Sequence, residues 1–194
     1  MRYTVRTITP LDEIPGVITL DEAKAHLGQH LEDDDDLIAA LLAAAQDHVE
    51  KHTGQVLTQR EMELALSAFP IDDGGRIVIP RAPVTDISTI EYADTDGIAA
   101  ELEQADWRWS ESAPEIVLPA YTTSWPTAYD EPGSTRVTFQ AGYEVGLAPA
   151  SLVGAVKLML GHLYANREAV VGTIATELPL GVVQLCGPYR RISI

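Results

Sequence analysis

The sequence predicts an α+β fold in which a small helical core, built from the N- and C-terminal segments, is interrupted by a β-rich insertion. Three observations predict it. Residues Pro149–Glu168 carry apolar side chains at helical period along their whole length, and a second helical run follows the acidic stretch Glu32–Asp36. Between them, from Gln55 to Tyr143, the texture changes to short β-branched and aromatic runs separated by Pro, Gly and Asp clusters. Neither helical segment can bury its apolar stripe alone, so residues 19–54 are expected to pack directly on residues 149–166. The plan is an arm at 1–18, a helical core from 19–54 with 147–187, a β-rich insertion at 55–146 and a tail at 188–194.

In chain order, residues 1–18 hold Pro10, Pro15 and Gly16 among short apolar groups, which predicts an extended arm with no fold of its own, suited to lying on a neighbour. Thr19-Leu20-Asp21-Glu22 has the spacing by which a hydroxyl and a carboxylate satisfy each other's orphan backbone donors, so a short helix starts there and stops at Gly28. The run Glu32–Asp36 places carboxylates at the positive end of the next helix. It is not a calcium loop, because Ile38 and Ala44 stand where a glycine and a glutamate are required. That helix should bury Leu37, Ile38, Leu41, Leu42, Ala45 and Val49 and end at Thr53-Gly54. Its outer face carries Ala39, Ala40, Ala43 and Ala44, all small.

Strands are expected at Glu61–Phe69, Arg76–Ile79, Ile87–Tyr92, Ile98–Leu102 and Thr135–Phe139, with two more at Trp107–Trp109 and Ile116–Leu118. Asp94-Thr95-Asp96-Gly97 reads as a hairpin turn, and Ala120–Gly133 as a long surface excursion.

In the later helix, Leu152, Val153, Val156, Met159, Leu160, Leu163 and Tyr164 share one arc, while Ser151, Gly154, Gly161, His162 and Ala165 share the other. Glycine costs about 1 kcal/mol in a helix interior, so two at heptad spacing point to close approach of another backbone. Gly154, Gly161 and Ala165, with Ala40, Ala43 and Ala44, are therefore the candidate subunit interface. A bilayer span is excluded by Lys157 and His162 within too short an apolar run. Ala169–Thr176 reads as a loop and Val182–Leu185 as one helical turn. Pro188-Tyr189-Arg190-Arg191 places a tyrosine beside two guanidiniums on an acidic chain, which suits a docking tail that meets a partner protein or a neighbouring subunit.

Composition bounds the chemistry. Thirteen Lys and Arg against 29 Asp and Glu give a net charge of −16, which repels a phosphate backbone and argues against sequence-reading of nucleic acid. A lone Cys186 forms no internal disulfide, and no secretory signal opens the chain, so a cytoplasmic origin is expected. His48 and His52 lie four apart on the second helix, the spacing of two metal ligands, but Glu50 is not where a zinc-protease base would be. A small metal-dependent hydrolase using His48 and His52 is the alternative that this spacing offers. No catalytic residue, metal ligand or cofactor is assigned.

Taken in order, Thr19–Leu27, the Asp33–Asp36 run into Leu37–Gly54, Phe69-Pro70, Arg76–Pro83, Ile87–Asp94, Gly142-Tyr143, Pro149-Ala150, His162–Glu168, Leu178–Gly181 and Pro188–Arg190 form a pattern. It resembles the head-to-tail connector (adaptor) proteins of tailed bacteriophages and related gene transfer agents, in the longer form with an insertion. The resemblance implies a non-enzymatic virion protein at the neck, assembled in the bacterial cytoplasm. It implies a homo-oligomeric ring, dodecameric in the particle, that sits under the portal protein, extends the DNA channel and receives a tail-side stopper or tail terminator protein. DNA would pass through without sequence-specific binding.

Overall fold

The computed structural model describes residues 3–166 and 179–191, which fall into two compact units. Residues 1–14 with 59–142 form one, and residues 15–58 with 143–194 the other. The α+β expectation holds: N- and C-terminal helices pack together, and the segment between them is sheet.

The β-rich unit contains a five-stranded antiparallel sheet in the order β1 (Tyr3–Thr7), β2 (Arg60–Leu66), β8 (Thr135–Ala141), β4 (Val84–Ala93), β5 (Ala99–Glu101). Alternation sets its register: Met62, Leu64 and Leu66 of β2 stand opposite Phe139, Val137 and Thr135 of β8, and all six are buried. The turn from β4 to β5 is the expected Asp94–Gly97, where Asp94 Oδ1 accepts from the N–H groups of Asp96 and Ile98 and Gly97 takes φ 78°. A second sheet of three strands runs β3 (Ile77–Val78), β7 (Ile116–Pro119), β6 (Trp107–Trp109).

The expectation that residues 1–18 form an arm without a fold of its own is corrected. Tyr3–Thr7 is an edge strand paired along its length with β2, and Arg6 grips the buried Glu63 through contacts of 2.8 and 3.0 Å. The strand is short, and its partner is distant in sequence, so no local pattern marks it.

The helical unit holds α1 (Leu20–Leu27), α2 (Asp35–Thr53), α3 (Ala150–Ala165) and α4 (Leu180–Cys186). The capping box is formed: Thr19 N–H donates to Glu22 Oε2 at 2.9 Å, and Glu22 N–H donates to Thr19 Oγ1 at 3.2 Å. Gly28 and Gly54 end α1 and α2 in the left-handed region, at φ 69° and 75°. Ile38, Ala45, Val49, Leu152, Ala155, Val156, Leu160, Val182 and Cys186 make one core, so residues far apart in sequence share a single apolar interior.

Two details differ from the sequence expectation. Leu37 is 38% exposed, and Gln46 is buried instead. Gln46 earns its place through hydrogen bonds: it accepts from Val17 N–H at 2.9 Å and donates to Glu50 Oε1 and Thr58 Oγ1, each at 3.2 Å. The same network widens the helical unit beyond 19–54 and 147–187, because Val17 and Ile18 at one end and Leu57 at the other join its core. The loop expected at Ala169–Thr176 lies outside the described residues.

Candidate assembly interfaces

The small face of α3 is occupied by the chain itself. A Cβ placed on Gly154 would stand 3.6 Å from Leu185 Cδ1 of α4, and one on Gly161 would stand 3.8 Å from His26 Nε2 of α1. Ala165, at the end of α3, is exposed. On α2, Ala40, Ala43 and Ala44 are exposed as the sequence predicts.

The acidic run before α2 divides into two sets. Tyr164 Oη donates to Asp34 Oδ2 at 2.8 Å, and Lys24 Nζ lies 2.6 Å from Asp35 Oδ1, so two of the carboxylates tie α1 and α3 to the start of α2. The hydrogen bond to Asp35 raises Lys24 above the usual lysine value, against the opposing effect of desolvation. Glu32, Asp33 and Asp36 are exposed.

The tail is folded back on its own unit. Arg191 N–H donates to Thr53 O at 2.9 Å, which satisfies a carbonyl at the end of α2, and Gln55 Nε2 donates to Tyr189 O at 3.1 Å. Tyr189 is half-buried against the helical core, and the Arg191 stem lies over Gly54, 3.4 Å from where a Cβ would be. Burial raises the Tyr143 hydroxyl, with a smaller contribution from Tyr189, and Tyr143 donates to Gln55 Oε1 at 3.2 Å. Pro188 and Arg190 are the exposed members of the four.

Sequence reasoning missed two surfaces of the β-rich unit. Trp125 from the long excursion stacks on Phe69 at 5.0 Å between centroids and 12° between planes, and its indole N–H donates to Gly75 O. A groove of about 470 Å³ runs beside this pair, lined by Pro70, Ile71, Pro119 and Pro126 among others. The second surface is the outer face of the three-stranded sheet, where Val78, Ile116 and Leu118 accompany Arg108 and Tyr121. Its signal is the alternation Trp107-Arg108-Trp109; the run Ile116–Pro119 is apolar throughout, so which of its residues face outward becomes readable only once the pairing register is known.

His48 is exposed and His52 half-buried, near the end of α2. Among the described residues no group of three or more His, Cys, Asp or Glu side chains is placed to hold a metal ion. Cys186 is buried in the helical core, and burial pushes its thiol up, away from the nucleophilic thiolate. Among the described residues no helix is long and apolar enough to cross a membrane.

Comparison with known proteins converges on one kind of assembly. Residues 17–105 match the family model of phage gp6-like head-tail connector proteins. No curated protein matches the chain. Among solved structures, a chain from the virion of a native gene transfer agent particle is similar at a TM-score of 0.77 and 24% identity, over 98% of this chain and 96% of that one. A chain from the neck of an empty particle, computed with C6 symmetry, is similar at 0.77 and 24%, over 98% and 97%. One from the neck of a native particle, computed with C12 symmetry, is similar at 0.71 and 24% over the same shares. Residues 17–105 are thus similar to phage gp6-like head-tail connector proteins, and the fold is one shared with chains of the gene transfer agent neck.

Proposed function

We propose that this chain is a head-tail connector subunit of a phage or gene transfer agent neck, and that copies of it close into a homo-oligomeric ring beneath the portal protein. The observation that carries the reading is the coincidence of connector-family sequence over residues 17–105 with a neck-chain fold over 98% of the chain. The role is structural, not enzymatic. Contacts between two different surfaces of each copy generate a ring when the rotation closes. A charge of −16 per copy, repeated around such a ring, keeps the channel from gripping phosphates, so DNA slides through without sequence-specific binding. The portal protein lies on the head side and a stopper or tail terminator protein on the tail side. Pro188 and Arg190 are exposed in the tail, which supports a docking role for it. Assembly takes place in the bacterial cytoplasm.

Deletion of the gene in a producing strain tests the role. The expected result is filled heads and separate tails that do not join, with joining restored by the intact chain supplied in trans. Normally tailed particles lacking the chain would overturn it.

A further inference from the structure

The two faces of the three-stranded sheet have different surroundings. Ile77, Trp107 and Val117 are buried on the inner face, whereas the cross-strand pairs Val78–Ile116 and Leu118–Arg108 face outward. Val78 is 54% exposed, and Tyr121 beside this face is 77% exposed. Arg108 is held in place there. Its Nε–H donates to Pro119 O at 3.1 Å, and its guanidinium carbon lies 4.4 Å from the Tyr121 ring centroid. An open groove of about 200 Å³ borders Arg108, Ile116, Leu118 and Tyr121. The result is an apolar patch centred on one fixed cation, on a chain of net charge −16. Its complement is apolar surface edged by carboxylate.

We propose that a second copy of this chain covers the patch with the exposed face of α2. Asp36, Leu37, Ala40 and Ala44 share one side of that helix by spacing, and all four are exposed. Asp33, in the turn just before the helix, is exposed as well. Asp34 and Asp35 are engaged by Tyr164 and Lys24 within the chain, which leaves Glu32, Asp33 and Asp36 as the exposed carboxylates of the acidic run. Alanines let the helix lie close on the sheet, and Arg108 meets the counter-charge at the helix start. Pairing two sheet faces instead would set Arg108 against Arg108, and like charges across an interface suppress that arrangement. The contact joins different surfaces of two copies, the kind that repeats around a ring when the rotation closes. It rests on the ring reading above and specifies its seam.

The test uses necks purified from assembled particles. Val78→Cys and Ala40→Cys in one chain should give a ladder of disulfide-linked multimers, while either substitution alone gives none; Cys186 is buried and stays silent. Arg108→Glu should lower incorporation into particles by about tenfold or more, and adding Asp33→Arg with Asp36→Arg should restore it. Both cysteine sites are exposed, so the ladder remains informative should Arg108→Glu fail to fold. Linkage by Val78→Cys alone would overturn the proposal, because it means sheet faces sheet. Particles that contain the chain, yet show neither ladder nor sensitivity to Arg108→Glu, would overturn the seam and leave the connector role standing. Absence of the wild-type chain from particles would overturn both.

Discussion

Gly154 of α3 faces Leu185 of α4 so closely that a Cβ on the glycine would lie 3.6 Å from Leu185 Cδ1. The close approach that a helical glycine invites is thus made by the chain's own fourth helix. Gly154 is covered within the chain, while Ala165 of α3 and the alanines of α2 stay exposed.

At 3.6 Å an added methyl group is in ordinary van der Waals contact, so Gly154→Ala should fit and stabilise the helical unit by up to about 1 kcal/mol through helix propensity. Gly154→Leu has no such room and should cost about 1–3 kcal/mol. Urea unfolding followed by circular dichroism measures both. A Gly154→Leu chain that unfolds at the same urea as wild type or higher would contradict the packing of α4 on α3.

What was legible in the sequence was what local chemistry determines. The Thr19–Glu22 capping box, the glycine stops at Gly28 and Gly54, and the Asp94–Gly97 turn each satisfy backbone groups within a few residues, so their signals sit together in the sequence. The strand Tyr3–Thr7 was not legible because its reason for existing, the pairing with β2 and the Arg6–Glu63 contact, is made far along the chain. Periodicity likewise marks one side of α2 as apolar and puts Leu37 inside, but it does not include Gln46, since it cannot see the Val17 and Thr58 partners that let an amide be buried. The composition of the tail reads as basic and aromatic, suited to docking, and does not show that Tyr189 and Arg191 fold back on their own unit. The tail's destination, the end of α2, is a tertiary fact.

Gly75 is required twice over. Its φ of 74° is strained for any residue with a Cβ, and that Cβ would lie 2.9 Å from Trp125 Nε1. Gly74, at φ 68° with open space around it, supplies a matched control. Gly74→Ala should cost about 1–2 kcal/mol from the backbone alone. Gly75→Ala should cost more and also displace Trp125 from Phe69, seen as a change in tryptophan fluorescence and near-ultraviolet circular dichroism. Equal effects of the two substitutions would contradict the Trp125–Gly75 contact.

Removing residues 188–194 takes away the Arg191–Thr53 and Gln55–Tyr189 hydrogen bonds and the packing of Tyr189. At about 1 kcal/mol for each bond plus partial burial of an aromatic ring, the helical unit should lose about 2–4 kcal/mol. Arg190→Ala, in contrast, should leave the unfolding curve in place, because Arg190 is exposed. A truncated chain with an unchanged midpoint would contradict the tail's place in the helical unit.

The central claim is that copies of this chain form a ring on the portal. Native mass spectrometry of the purified chain, alone and mixed with the portal protein, tests it most directly. The account predicts that adding portal produces a complex with one defined number of copies in a closed ring, dodecameric as the family resemblance implies. A chain that stays monomeric with portal present, or binds it in open-ended and variable numbers, would contradict it.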